Sequence, residues 1–141
     1  DLMLYALGDE AASKVNTGVF GYGFGPKTAY LWFRSGCIRE GRACDLYSVD
    51  LTKSKEAPKK LVEGIYSFKT SEQGDRVLVS YARTQGDTYD AAVYNMKSGE
   101  RRTLEQYVYL PAVFLDDAGS KVAYIVAARE REGVYIADQV P

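Results

Sequence analysis

At 141 residues, with 46% hydrophobic content and a net charge of -1, the chain is long enough for one globular core and too evenly charged for a disordered tail. Lysines and arginines are scattered among aspartates and glutamates, so no nucleic-acid partner and no anionic-membrane footprint are expected. No apolar run approaches the ~18 residues that span a bilayer, so membrane insertion is not expected, and nothing has a signal peptide's charged-then-apolar start. The chain begins at Asp1 rather than Met, from which we expect a processed or excised piece of a longer protein.

Twelve Tyr, five Phe and one Trp against two Met suit pleated, half-buried surfaces better than helices. In chain order, short alternating runs closed by Gly, Asp, Asn, Ser or Lys recur about every ten residues, the spacing of short strands joined by tight turns. LMLYALGD at Leu2, DLYSVDLT at Asp45, AAVYNMKSG at Ala91 and GVYIADQV at Gly133 place Met3, Tyr47, Ala92 and Tyr135 in register, at intervals of 44, 45 and 43 residues. The segment that follows in each unit, GYGFG, IYSFK and PAVFL, places Phe24, Phe68 and Phe114 in register at intervals of 44 and 46. After a turn (GPK, TSEQGD, DDAGS) come TAYLWFR, RVLVSYAR and KVAYIVAAR, closing on Arg34, Arg83 and Arg129. A period of 40 to 50 residues built of four short strands is that of a β-propeller blade, because one small twisted sheet buries its faces only against the sheets beside it.

The fold class is therefore all-β, with blades of four antiparallel strands in an incomplete ring; a β-sandwich is the alternative. Residues 1–141 form one propeller-type domain or fragment, with repeat units of about 1–44, 45–90 and 91–141. The chain is expected to enter in the third strand of one blade (Leu2 to Leu7), complete two blades, and leave after the third strand of another (Val134 to Asp138). In the first inner strand Phe20, Tyr22 and Phe24 share one face and Gly21, Gly23 and Gly25 the other, and the glycine face marks close approach of a neighbouring blade or the central channel.

The texts AVFLDDAGSKVAYIVA and YSFKTSEQGDRVLVSY, with DLYSVDL, AVYNMKSGE and VYIADQ as the later strand, resemble the repeats of TolB-like, WD40-like β-propellers, whose usual form is close to PxWSPDGxxIAFxS followed by xIYVxDxxxG. The resemblance covers nearly the whole chain, although the Pro-x-Trp-Ser-Pro text is absent and GFGPK shortens the turn. It implies a non-catalytic scaffold that binds protein or peptide partners in a bacterial envelope. The alternative is the gating propeller of a larger prolyl-oligopeptidase-type serine peptidase, whose propellers look similar in sequence and whose catalytic domain is not in this chain.

Cys37 and Cys44 flank IREGRA between the strands TAYLWFR and DLYSVDL; if those strands form a hairpin, the two sit opposite each other at its mouth. A disulfide in an oxidising, periplasmic or extracellular compartment is the favoured reading; two reduced thiols are the alternative. Two cysteines and no histidine supply half the ligands of a structural zinc site. The absence of histidine also removes Ser-His-Asp and Cys-His nucleophile activation within the chain. No phosphate loop or G-x-S-x-G elbow is present, and GYGFG reads as a strand edge, so neither an enzyme nor a cofactor is expected. Asp116-Asp117 and Asp87/Asp90 have the composition of a calcium or acid/base pair, yet sit where a turn needs Asp and Gly. Tyr47, Tyr94, Tyr124 and Tyr135 fall on strand periods and read as packing between blades.

The loops joining second to third strands, RSGCIREGRACD, RTQGDTYD and AREREGV, lie together on one face of a propeller. They carry Arg34, Arg39, Arg42, Arg83, Arg129 and Arg131, a candidate rim for an acidic peptide or carboxylate. Glu40, Asp87, Asp90, Glu130 and Glu132 lie among them and offset part of that field. Because a ring closes with four to eight blades, the chain is also expected to self-associate, or to join the remainder of a larger propeller, through its terminal strands.

Overall fold

A computed structural model describes residues 1–4, 11–25, 27, 29–53 and 56–141. Its strands are β1 (Leu2–Leu4), β2 (Ser13–Asn16), β3 (Gly21–Phe24), β4 (Tyr30–Ile38), β5 (Ala43–Asp50), β6 (Lys59–Ile65), β7 (Ser67–Thr70), β8 (Arg76–Ala82), β9 (Tyr89–Asn95), β10 (Arg101–Phe114), β11 (Val122–Val126) and β12 (Gly133–Ala137). Residues 5–7 of the expected first strand lie outside the described residues, as do Pro26 and Thr28, expected in a turn and at the head of the TAYLWFR run. Every pairing is antiparallel.

Strands β3-β4-β5-β6 form one four-stranded sheet in sequence order, and β7 to β12 a six-stranded one. The larger sheet is two blades sharing a strand. The first half of β10 pairs with β9 from Arg101 to Val108, and the second half pairs with β11 from Val108 to Phe114. Ladder irregularities between Glu105 and Val108 and between Tyr109 and Val113 bracket the corner. Tyr107 turns there with φ 56°, and Pro111, which has no N–H to give, lies in the second irregular stretch. The chain thus contains the pair β1-β2, two complete blades, and a third blade built from the end of β10, β11 and β12.

Alternation along the strands explains the stacking. In the second blade Val77, Val79 and Ala92 pack with Trp32, Leu46, Val62 and Ile65 of the first. Leu78, Ala91 and Val93, on the opposite face, pack with Val108, Ala112, Val122, Tyr124 and Val126 of the third. The middle blade is therefore apolar on both sides, and its strands read as near-continuous hydrophobic runs. A sandwich buries one face of each of two sheets, so this double burial sets the arrangement apart from the β-sandwich alternative.

Polar contacts tie the blades at the rim where first strands turn into second strands. The Lys27 ammonium lies 3.2 Å from the Asp117 carboxylate and 3.7 Å from that of Glu72. The backbone N–H of Gln73 donates to the Asp117 carbonyl at 3.1 Å. Arg76 donates to the Ala118 carbonyl at 2.7 Å and the Pro141 carbonyl at 2.8 Å. Asp116 holds its own turn, accepting from the Ser120 hydroxyl and, at 2.9 Å, from the Lys121 N–H. These bonds, the Ser120 hydroxyl first, hold its carboxyl below the usual aspartate value.

A disulfide joins Cys37 and Cys44, directly across the β4-β5 hairpin with Cα atoms 4.0 Å apart, so the thiols are not free. The ladder shows what it does. β3 pairs with β4 up to Arg34, and β6 pairs with β5 from Cys44. Residues 36–43 therefore project as a two-stranded ribbon without a sheet on either side, and such ribbons are marginal in water.

Two expectations follow from this packing. Gly119 has φ +71°, and a Cβ there would lie 2.7 Å from Ser71 Cβ and 3.1 Å from the Phe114 ring. Gly119→Ala should cost about 2–4 kcal/mol through strain plus overpacking, whereas Gly99→Ala, at φ +76° with nothing within 4 Å, should cost about 1 kcal/mol. Urea midpoints of the two variants check the ordering. Reduction of the disulfide, which closes a short loop, should cost about 2 kcal/mol; in hydrogen exchange the protection of residues 36–43 should fall before that of β8 and β9.

Candidate partner-binding site

The rim loops place the six candidate arginines in different surroundings. Arg34 lies inside β4, at the last position paired with β3, and its guanidinium donates to the carbonyl of Tyr66, the residue between β6 and β7, and to the Phe20 carbonyl at 3.1 Å. Partial burial draws its pKa below the usual arginine value. Arg83, which follows β8, pairs with Asp90 at 2.6 Å and lies 3.9 Å above the ring of Tyr107 at the β10 corner. Hydrogen bonding to Asp90 raises its pKa. Arginines of two successive blades, one inside β4 and one just beyond β8, thus clasp a corner tyrosine where one blade passes to the next, one through a backbone carbonyl and the other through a cation–π contact.

Arg131 pairs with Glu105 on β10, and its guanidinium is 5.9 Å from the Tyr135 ring. Arg129 is exposed and has no ion-pair or hydrogen-bond partner among the described residues. Arg39 and Arg42 stand on the disulfide-bound ribbon, also exposed. The Arg42 N–H donates to the Arg39 carbonyl at 3.1 Å, closing the turn, and Arg39, Glu40 and Gly41 have φ of 51°, 56° and 84°.

Three of the six converge. Arg39, Arg42 and Arg83 line a cleft of about 310 Å³ with Ala43, Gly64, Ala82 and Thr84. Gly64, at φ 69°, opens its floor by presenting no side chain. Gly64 was not singled out from the sequence; a glycine inside a strand run is the sign that marks it. Beside the cleft the rings of Tyr66 and Tyr89 are 4.8 Å apart. The Tyr89 hydroxyl titrates above its ordinary value, mainly through burial and its bond to Tyr66, while Arg42 acts in the opposite direction.

The predicted packing tyrosines lie between or within blades: Tyr47 stacks on Phe33, Tyr124 on Tyr135, and the hydroxyls of Tyr94 and Tyr81 are 3.0 Å apart. On the channel side, Gly23 faces the next blade, where an added Cβ would lie 3.4 Å from the Phe68 ring. Among the described residues no group of three or more His, Cys, Asp or Glu side chains is placed to hold a metal.

The far face of the third blade is apolar and open, whereas the outward face of the first is open along β3 and buried at Leu31 and Phe33 of β4. Phe68 and Phe114 face the preceding blade and are partly buried against it. Phe24, at the corresponding position, is 50% exposed, with Tyr22 beside it 63% exposed. On the far side of the third blade Tyr109, Ile125, Val134 and Ile136 lie on the face turned away from the core, with Val134 74% and Ile136 60% exposed. β12 forms the edge of its sheet.

No protein-family model matches the chain, and no curated protein sequence matches it. Solved structures do. The β-propeller domain of the Trilobed protease from Pyrococcus furiosus superposes with a TM-score of 0.67 and 15% identity, over 99% of this chain and 46% of that one. The tricorn protease follows with a TM-score of 0.59 and 16% identity, over 88% of this chain and 13% of that one. Oligogalacturonate lyase in complex with manganese gives 0.58 and 16%, over 94% and 39%. The chain spans less than half the length of each of these structures, and its fold is that of an incomplete β-propeller.

Proposed function

We propose that this chain is a non-catalytic β-propeller scaffold that binds protein or peptide partners and works as a section of a larger ring, completed by further blades or by another copy of itself. The observation that carries the reading is the exposed apolar surface at both ends, along β3 of the first blade and on the far face of the third. Phe24 occupies the position at which Phe68 and Phe114 pack on a preceding blade, and here half its surface is in water. Exposed apolar sheet faces and unpaired strand edges are features that soluble proteins cover. Arg129 supports the same reading: it closes the repeat text KVAYIVAAR as Arg34 and Arg83 close theirs, and unlike them it clasps no corner tyrosine among the described residues. The disulfide favours an oxidising setting, periplasmic or extracellular, in a bacterial envelope protein. No helix is long and apolar enough to cross a membrane among the described residues.

A second reading, a propeller that gates a serine peptidase, draws on the likeness to the propeller domain of the Trilobed protease and to the tricorn protease. It is fold-level support only. Labelling the native protein with a fluorophosphonate probe separates the two: a labelled species that also yields peptides of this chain would favour the peptidase reading.

For the scaffold reading, sedimentation velocity from low to high micromolar concentration should show association, with binding of an apolar dye to the free chain. Tyr22→Lys and Ile136→Lys, each placing a charge on an open face, should weaken association by about tenfold or more. A monomer at every concentration, without dye binding and with a sharp cooperative melt, would overturn the reading.

A further inference from the structure

Arg39 and Arg42 form a cationic pair that nothing in the fold uses. Arg34 clasps Tyr66, Arg83 is held by Asp90 and Tyr107, and Arg131 is held by Glu105. Arg39 and Arg42 have no carboxylate within ion-pair distance among the described residues, although Glu40 and Asp87 belong to the flanking loops. Both stand at the mouth of the same cleft, whose far wall carries Arg83 and whose floor at Gly64 is bare.

The ribbon that presents them is costly to hold in place. Arg39 and Glu40 both occupy left-handed backbone, where asparagine or glycine fits with less strain, and such residues cost on the order of 1 kcal/mol each. The ribbon has no sheet neighbour beyond Arg34 and Cys44, yet the Cys37–Cys44 bond fixes its base. A strained turn on a covalently braced support is suited to presenting side chains in a set geometry.

We propose that the Arg39/Arg42/Arg83 cleft is a binding site for the carboxylates of an acidic peptide segment, and that the Cys37–Cys44 disulfide is the positioning element that holds its two free arginines in place. Guanidinium forks match carboxylates in two parallel hydrogen bonds. A cleft of about 310 Å³ accepts one or two acidic side chains rather than a folded domain. The near-zero net charge of the chain argues against a polyanion such as nucleic acid, which is drawn by a wide basic surface. The proposal names the partner class of the scaffold reading, but the cleft lies wholly within the two complete blades and does not depend on how the open faces are covered.

The test uses the full 141-residue chain and a fluorescein-labelled hexaglutamate peptide, read by fluorescence anisotropy at low salt. Hexaglutamate should bind at least about tenfold more tightly than the neutral hexaglutamine peptide, and the Arg39→Gln/Arg42→Gln double variant should lose about tenfold or more. Lys59→Gln, at an exposed lysine outside the cleft lining, should stay within about twofold of the parent. Reduction with a phosphine should weaken binding about threefold or more while the β8 and β9 amides stay protected, because the arginines lose their support. The charge-reversed Arg39→Glu/Arg42→Glu variant should instead prefer hexalysine, a gain that misfolding does not produce. Equal binding of the two neutral-to-acidic peptides, or a double variant that binds as the parent does, overturns the site. Competition by inorganic phosphate at concentrations where acetate has no effect overturns the carboxylate assignment. Association through the open faces is read separately by sedimentation, so either proposal can fail alone.

Discussion

A sheet that is apolar on both faces cannot stand alone, and in this chain that constraint decides the rest. Strand β8 carries Val77, Leu78 and Val79 in succession, and all three are buried because alternate residues enter different blade interfaces. Burial of one aliphatic side chain is worth about 1.5–3 kcal/mol, whereas an exposed ion pair such as Lys27–Asp117 is worth about 0.2–1 kcal/mol. Stacking is therefore set by apolar burial, and the polar links between turns only select its register. The same logic applies at the ends, where Tyr22 and Phe24 on one side and Val134 and Ile136 on the other present the surface that blades bury in the middle.

Much of this was legible in the sequence because it is periodic. The phenylalanines at 24, 68 and 114 keep one face in all three blades, and the glycines at 21 and 23 mark the face that Phe68 and the Arg34 side chain approach. What was not legible is the corner inside β10. EQYVYL holds no Gly, Asn or Asp to announce a change of sheet, and the turn is made instead by Tyr107 in left-handed backbone. Tertiary packing, with Arg83 over the Tyr107 ring, holds a conformation that local propensity does not favour. The disulfide, by contrast, was legible from topology alone, since seven residues of separation across a hairpin place two side chains opposite each other.

The arginines show where the reading of a rim from sequence ends. The repeat places all six at or near second-to-third-strand connections, although Arg34 lies inside β4, and their roles depend on which acidic and aromatic side chains fold back against them. Glu105 comes from β10 and Tyr66 from the link between β6 and β7, distant in sequence from Arg131 and Arg34. No local pattern encodes those pairings. They emerge once blades stack, and each one removes a positive charge from the surface available to a partner.

What remains is decided by subtraction. A net charge of -1 suggests a rim without a field, yet neutralisation is uneven, because carboxylates within hydrogen-bond reach satisfy Arg83 and Arg131 and leave Arg39 and Arg42 unmatched. Screening reduces interactions between exposed charges beyond a Debye length of about 8 Å, so a partner at the cleft senses the nearest guanidinium groups and not the average of the chain. Among the described residues Arg39, Arg42 and Arg129 make no ion pair, and of these only the two on the covalently braced ribbon line the cleft; that coincidence of free charge and fixed backbone separates them from the corner clasps of the same residue type.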